Sequence, residues 1–123
     1  MTQRGAMIIT WGEQRPGVPA SKGLEVFAKA LEYYDGLAKT GRISGYHVYA
    51  SARRDRGTLI VEGELSTLAQ LQVEEDSMKQ LALGNAVVRE LEVDLCVGGN
   101  ADDVTNYFTT GIAAIQEAGL PFE

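Results

Sequence analysis

Two short segments rich in β-favouring residues, Ile43-Ser44-Gly45-Tyr46-His47-Val48-Tyr49-Ala50 and Thr58-Leu59-Ile60-Val61-Glu62-Gly63-Glu64, flank a charged stretch holding Arg53, Arg54, Asp55 and Arg56. Such a pair reads as a β-hairpin. Residues paired across its strands project to the same side, so one choice of register assigns every side chain to a face. A turn of two or four residues, centred near Arg54 and Asp55 or between Asp55 and Arg56, groups Tyr46, Val48 and Ala50 with Leu59 and Val61. His47 and Tyr49 then share the other face with Ile60, Glu62 and Glu64. The opposite register would bury Glu62 beside Val48, and an unpaired buried carboxylate costs several kcal/mol.

Before the hairpin, Ala6-Met7-Ile8-Ile9-Thr10-Trp11 is apolar on both parities and bounded by Gly5 and Gly12. That is the pattern of a central strand covered on both sides. Pro16, Gly17 and Pro19 then make a loop, and Leu24, Phe27, Ala28, Leu31, Tyr34 and Ala38 recur at helical spacing, predicting a helix from about Ala20 to Thr40 with Gly41 at its C-terminus. After the hairpin, Leu68, Leu71, Met78, Leu81 and Ala82 form a second helical stripe. Ser66 is its expected N-cap, Glu74-Glu75-Asp76-Ser77 predict an interruption with Asp76 or Ser77 capping the second piece, and Gly84-Asn85 is the expected stop. From Val87 to Val97, Leu91, Val93, Leu95 and Val97 alternate with Glu90, Glu92, Asp94 and Cys96, a strand with one apolar face. Asn100 and Asp103 suit a helix start, and Val104, Tyr107, Phe108, Gly111, Ile112 and Ile115 continue as a last helix stopped by Gly119 and Pro121.

The order strand, helix, strand, strand, helix, strand, helix predicts an α+β chain. Right-handed crossovers turn it into a ferredoxin-like βαββαβ unit with an extra C-terminal helix. Its four-stranded antiparallel sheet has the first and third strands central and helices on one face. At 123 residues the whole chain, 1–123, fits one domain. The open sheet face then carries His47, Tyr49 and up to five carboxylates beside apolar residues of the first strand.

A net charge of −6 disfavours nucleic acid and anionic membranes, whose recognition rests on clustered Lys and Arg. The arginines of the hairpin turn read as a solvated tip, since no aromatic residues interleave them. A single cysteine, Cys96, permits no internal disulfide and fits a reducing, cytoplasmic setting; the apolar run after Gly5 is far shorter than a signal or membrane segment. One histidine and one cysteine without ligand spacing argue against a metal or haem site, and the Gly98-Gly99-Asn100 turn lacks a phosphate-loop lysine. No cofactor is expected.

The Ile-Ile-Thr-Trp first strand, the long amphipathic first helix, the Ile43 to Glu64 hairpin, the Leu68 to Leu83 helix with its Glu-Glu-Asp-Ser break and the alternating last strand resemble the dimeric α/β-barrel superfamily. That group includes cofactor-free monooxygenases, small lactone isomerases and YCII-like proteins. The resemblance is architectural and implies a homodimer with facing sheets, not a particular reaction. Two functional readings compete. In one, the open face binds a small apolar or aromatic molecule, with Trp11 as an apolar wall and Tyr49, Glu64 and Glu92 as ligand-binding groups. In the other, His47 is a general acid or base oriented by Glu62 or Glu64 opposite it, with Tyr49 donating to a substrate oxygen. Whether the protein is an enzyme stays open between them.

Overall fold

In the computed structural model, which describes residues 3–121, the chain runs β1 (Arg4–Trp11), α1 (Ala20–Lys39), β2 (Gly45–Ala50), β3 (Gly57–Glu64), α2 (Leu65–Gln72), α3 (Glu75–Val87), β4 (Glu92–Val97) and α4 (Ala101–Glu117). The four strands make one antiparallel sheet in the order β2-β3-β1-β4, so β1 and β3 are central as the element order predicts. This is the α+β, ferredoxin-like arrangement: two interleaved strand-helix-strand halves on one sheet.

One face of the sheet is covered by α1, α2 and α3. Met7 and Ile9 of β1 and Leu59 and Val61 of β3 meet Tyr34 of α1, Leu68 and Leu71 of α2 and Ile43 of the loop before β2. Val61, Leu68 and Leu71 are wholly buried, and each such side chain contributes about 1.5–3 kcal/mol of transfer free energy. The end of α1 follows from Gly41. Its φ of 78° lets Gly41 N–H donate to Ala38 O and Arg42 N–H to Leu37 O, the paired bonds that close a helix on a left-handed residue.

The stripe that α1 buries keeps Phe27, Leu31, Tyr34 and Ala38 of the one read off the sequence, gains Val26 and Leu37, and loses Leu24 and Ala28. Val26 and Tyr34 are buried and Leu31, Leu37 and Ala38 pack against the core that holds Tyr34, whereas Leu24 is 69% exposed and Ala28 faces solvent. The helix first meets the sheet where Phe27 touches Trp11 at the end of β1, so its opening turn extends past the core and Leu24 finds nothing to cover it.

Other boundaries are also corrected. Helices α2 and α3 are separate, as the acidic interruption predicts, but no side chain caps either: Glu64 and Glu74 occupy the cap positions, and Ser66 and Asp76 do not serve there. Ser77 is instead 2% exposed, with its Oγ 2.6 Å from the Tyr33 hydroxyl, tying α3 to α1. Gly84-Asn85 does not stop α3, which continues to Val87. Residues Val87 to Arg89 then pair with the segment after β1 through Gly12 N–H to Arg89 O, Arg89 N–H to Glu13 O and Arg15 N–H to Val87 O. Part of the predicted long last strand is thus a short separate pairing. Glu90, at φ 57°, turns the chain from it into β4.

The last helix begins as expected, with Asn100 Oδ1 accepting from Asp103 N–H at 3.0 Å. It rests chiefly on β4 and buries none of its residues, leaving Tyr107 and Phe108 more than half exposed. No helix among the described residues is long and apolar enough to cross a membrane.

Candidate functional site on the open sheet face

The face opposite the helices is built by the even positions of β1, β3 and β4 and the odd positions of β2. Because the registers are continuous, it resolves into rows that cross all four strands. His47 lies opposite Ile60, Ile60 opposite Ile8 and Ile8 opposite Asp94. One step toward the hairpin tip, the row is Tyr49, Thr58, Thr10 and Glu92; one step the other way, it is Gly45, Glu62, Ala6 and Cys96. The face thus has an apolar middle at Ile8 and Ile60, polar edges, and one row in which Glu62 stands among small residues.

His47 is held by Glu62: Nε2 lies 2.9 Å from Oε1, with 59% of the imidazole and 40% of the carboxyl side chain exposed. The contact is diagonal. The residue directly across from His47 is Ile60, whereas a turn centred one or two residues later would have put Glu62 or Glu64 there. The faces are those that the alternation predicts, but the hairpin register is displaced because the turn is centred between Arg53 and Arg54, with Ala50 paired to Gly57 and a loop of six residues from Ser51 to Arg56. That loop is stabilised by Ser51, whose N–H donates to Arg56 O and whose Oγ accepts from the N–H groups of Arg53 and Arg54. Hydroxyl-to-backbone bonds of this kind favour a turn, and Ser51 is the signal for the longer loop that the charge run concealed.

With Nε2 engaged by a carboxylate, Nδ1 is the imidazole nitrogen left to meet another group, and the ring is held in one orientation. Tyr49, two residues along β2 on the same face, is 62% exposed. His47, Glu62 and Tyr49 are therefore the candidate residues that the fold gathers.

The other candidates lie apart. Trp11 is on the covered face with Met7 and Ile9 and packs at a tilt against Phe27, with ring centroids 5.8 Å apart, so it is not an apolar wall of the open face. Glu64 pairs with Arg4 at the end of the sheet, roughly 13 Å along the strand from the His47 row at about 3.3 Å per residue. Glu92 is on β4, across the sheet from β2 and on the order of 14 Å away within one chain. Cys96 shares the open face, but burial first and then the neighbouring Asp94 carboxylate push its thiol above the ordinary value, which disfavours the reactive thiolate.

A concavity of about 430 Å³ lies at the Glu64 end of the sheet, lined by Arg4, Arg42, Ser44, Glu64, Ser66 and neighbouring residues. Both arginines there are engaged. Arg4 donates to Ser44 Oγ, and Arg42 makes two bonds to Glu74, at 2.7 and 2.8 Å, that hold the Glu74 carboxyl below its usual range. The concavity does not include His47.

No described protein family matches the chain, and no curated protein is similar to it in sequence. Its fold is shared with solved structures. A dimeric protein of unknown function and ferredoxin-like fold from Bacteroides fragilis superposes with a TM-score of 0.57 at 13% identity, covering 76% of this chain and 96% of its own. A protein of unknown function from Bacteroides thetaiotaomicron, described as a possible oxidoreductase, gives 0.58 at 10% identity over 79% of this chain and 98% of its own. A dimeric ferredoxin-like protein of unknown function from Thermobifida fusca gives 0.53 at 12% identity over 77% and 92%. At these identities the likeness establishes the ferredoxin-like fold and no activity.

Proposed function

We propose that the chain works as a homodimer whose two open faces enclose a binding space for a small apolar or aromatic molecule with a polar end. The observation that carries this reading is the His47–Glu62 pair, at 2.9 Å, set on an uncovered sheet face beside Ile8, Ile60 and Ala6. A face of that composition offers an aromatic ring an apolar bed and offers its polar substituent an oriented imidazole and the Tyr49 hydroxyl. Small residues at Gly45 and Ala6 leave room around Glu62. Two solved structures of the same fold are described as dimeric, which supports a second copy as the cover. Ligand pockets of this type join an apolar lining to a few placed polar groups.

A second reading rests on the same pair. A carboxylate that fixes Nε2 and leaves Nδ1 to the ligand is the arrangement of a general acid or base, so cofactor-independent acid/base catalysis of the monooxygenase or isomerase kind is the alternative. The two readings separate on one variant. Sedimentation of the wild-type protein is expected to give a dimer, and 1-naphthol, followed by its fluorescence, is expected to bind with saturation. His47→Ala that weakens 1-naphthol binding without changing the dimer supports the binding module. His47→Ala that leaves binding intact but abolishes turnover of an aromatic or lactone substrate supports the enzyme. A monomer at every concentration rejects both.

A further inference from the structure

Resting on the dimer reading above, we infer that the second copy lies on the open face with the two-fold axis parallel to the strands, so that His47 of each copy meets Asp94 of the partner subunit. The inference comes from the order of side chains across the sheet. The row His47, Ile60, Ile8, Asp94 is self-complementary: turned over about an axis running along the strands between β3 and β1, it places His47 on the partner's Asp94 and Ile60 on the partner's Ile8. A two-fold interface requires this kind of match, because the same patch serves on both sides.

The next row obeys the same rule. Tyr49, Thr58, Thr10, Glu92 brings the Tyr49 hydroxyl to the partner's Glu92 and Thr58 to the partner's Thr10. Beyond it, the tip arginines Arg53, Arg54 and Arg56 project from the same end of the sheet as Glu92. The same rotation carries them over the start of the partner's β4. Cationic tip then faces acidic edge.

The other face-to-face arrangement has its axis across the strands. It would lay β4 on the partner's β4 and, with the axis near the acidic rows, set Asp94 or Glu92 against its own copy or the two against each other, a like-charge contact that interfaces avoid. Sheet twist keeps β2 over the partner's β4. Strands are about 4.8 Å apart, so the edge strands lie about 7 Å from the axis. A rotation of about 30° between stacked sheets moves a facing edge residue by about 4 Å along the strand, about half the spacing of about 6.6 Å between rows, so His47 stays within a long side chain's reach of the partner's Asp94.

The binding space is consequently composite. Each His47–Glu62 pair gains a carboxylate from the partner, while the two rows of Gly45, Glu62, Ala6 and Cys96 face one another at the same end and leave the widest gap there. A single subunit presents only half of this constellation.

A cross-linking experiment tests the arrangement. In a Cys96→Ser background, which removes the native thiol, the variant carrying both His47→Cys and Asp94→Cys is treated with a bismaleimide spanning about 10 Å, the usual gap between stacked sheets. Covalent dimers are expected from that variant and not from either single cysteine variant. Covalent dimers from His47→Cys alone or Asp94→Cys alone place like strands together and overturn the proposed axis, while leaving the dimer reading intact. A wild-type dimer that none of these variants captures overturns the axis as well. Sedimentation of Asp94→Asn gives a second readout: dimer dissociation rising about fivefold to tenfold fits the pairing with His47, and a tighter dimer, through relieved repulsion, overturns it. A wild-type chain that sediments only as a monomer overturns the dimer reading itself.

Discussion

Trp11 and Gly57 are cross-strand partners at the end of the β1–β3 ladder, and the indole of Trp11 lies directly over the Gly57 Cα. A methyl group at Gly57 would overlap the six-membered ring of the indole. Glycine at this site is what lets Trp11 fold across β3 on the covered side and reach Phe27. Gly57→Ala is therefore expected to displace the indole and destabilise the protein by about 1–3 kcal/mol, read as a lower urea midpoint with an unchanged slope. The Trp11 emission maximum should shift to longer wavelength in the same variant. A variant with wild-type stability and emission would show that the indole is not anchored there.

That relationship also shows how far the sequence was legible. Strands whose polar residues keep one parity disclosed their faces: Glu92 and Asp94 opposite Val93 and Leu95 by their own alternation, and His47 and Tyr49 opposite Tyr46 and Val48 through the parity of Glu62 on the paired strand. β1 is apolar on both parities, so nothing in its own pattern distinguishes the side of Trp11 from that of Ile8. Only its register against β3, where Met7 meets Val61, Ile9 meets Leu59 and Trp11 meets Gly57, decides it, and that is a tertiary fact. The hairpin register failed for a related reason. Parity survives a shift of two residues but partners do not, so Glu62 stayed on the correct face while Ile60 took its place opposite His47. The end of α3 was hidden because Gly84 and Asn85 are stop signals in isolation, whereas the chain gains more by carrying Val87 into a buried position and pairing the following residues with the segment after β1.

The Tyr33–Ser77 bond joins α1 to α3 at a position where Ser77 is almost fully enclosed. Ser77→Ala leaves the Tyr33 hydroxyl without that partner and is expected to cost about 1–2 kcal/mol, with Tyr33→Phe costing a similar amount. In the double variant the two losses should not add, because both remove one bond. Chemical denaturation of the four proteins measures the coupling. Full additivity would show that the hydroxyls do not interact.

Glu90 holds φ at 57°, where side chains other than glycine are crowded. Adopting this left-handed conformation costs a non-glycine residue about 1–2 kcal/mol, and glycine in its place forfeits about 0.5–1 kcal/mol of chain entropy. Glu90→Gly is expected to come out stabilising by up to about 1.5 kcal/mol, and Glu90→Val destabilising, since a β-branched residue fits this region worst. Thermal denaturation of the two variants distinguishes them by opposite shifts of Tm. A shift of the same sign in both would place the turn's stability elsewhere.

Tyr34 is 2% exposed, and burial, with a smaller contribution from neighbouring Tyr33, raises its phenol well above the ordinary value near 10. A raised acid holds its proton in the folded chain after the unfolded chain has released it. The associated stability is fully present below the unfolded pKa and declines as pH rises above it, by at most about 1.4 kcal/mol per pH unit for this one group. Between about pH 10 and 11.5 the wild-type protein should therefore lose stability faster than Tyr34→Phe, which has no proton to release at this position and keeps the aromatic ring. Other tyrosines and the lysines titrate in the same window, so the quantity to measure is the difference between the two proteins' urea midpoints at each pH. The gap should narrow or reverse in favour of Tyr34→Phe as pH rises. Parallel profiles would mean that the phenol ionises as readily folded as unfolded, contrary to its burial between α1 and the sheet.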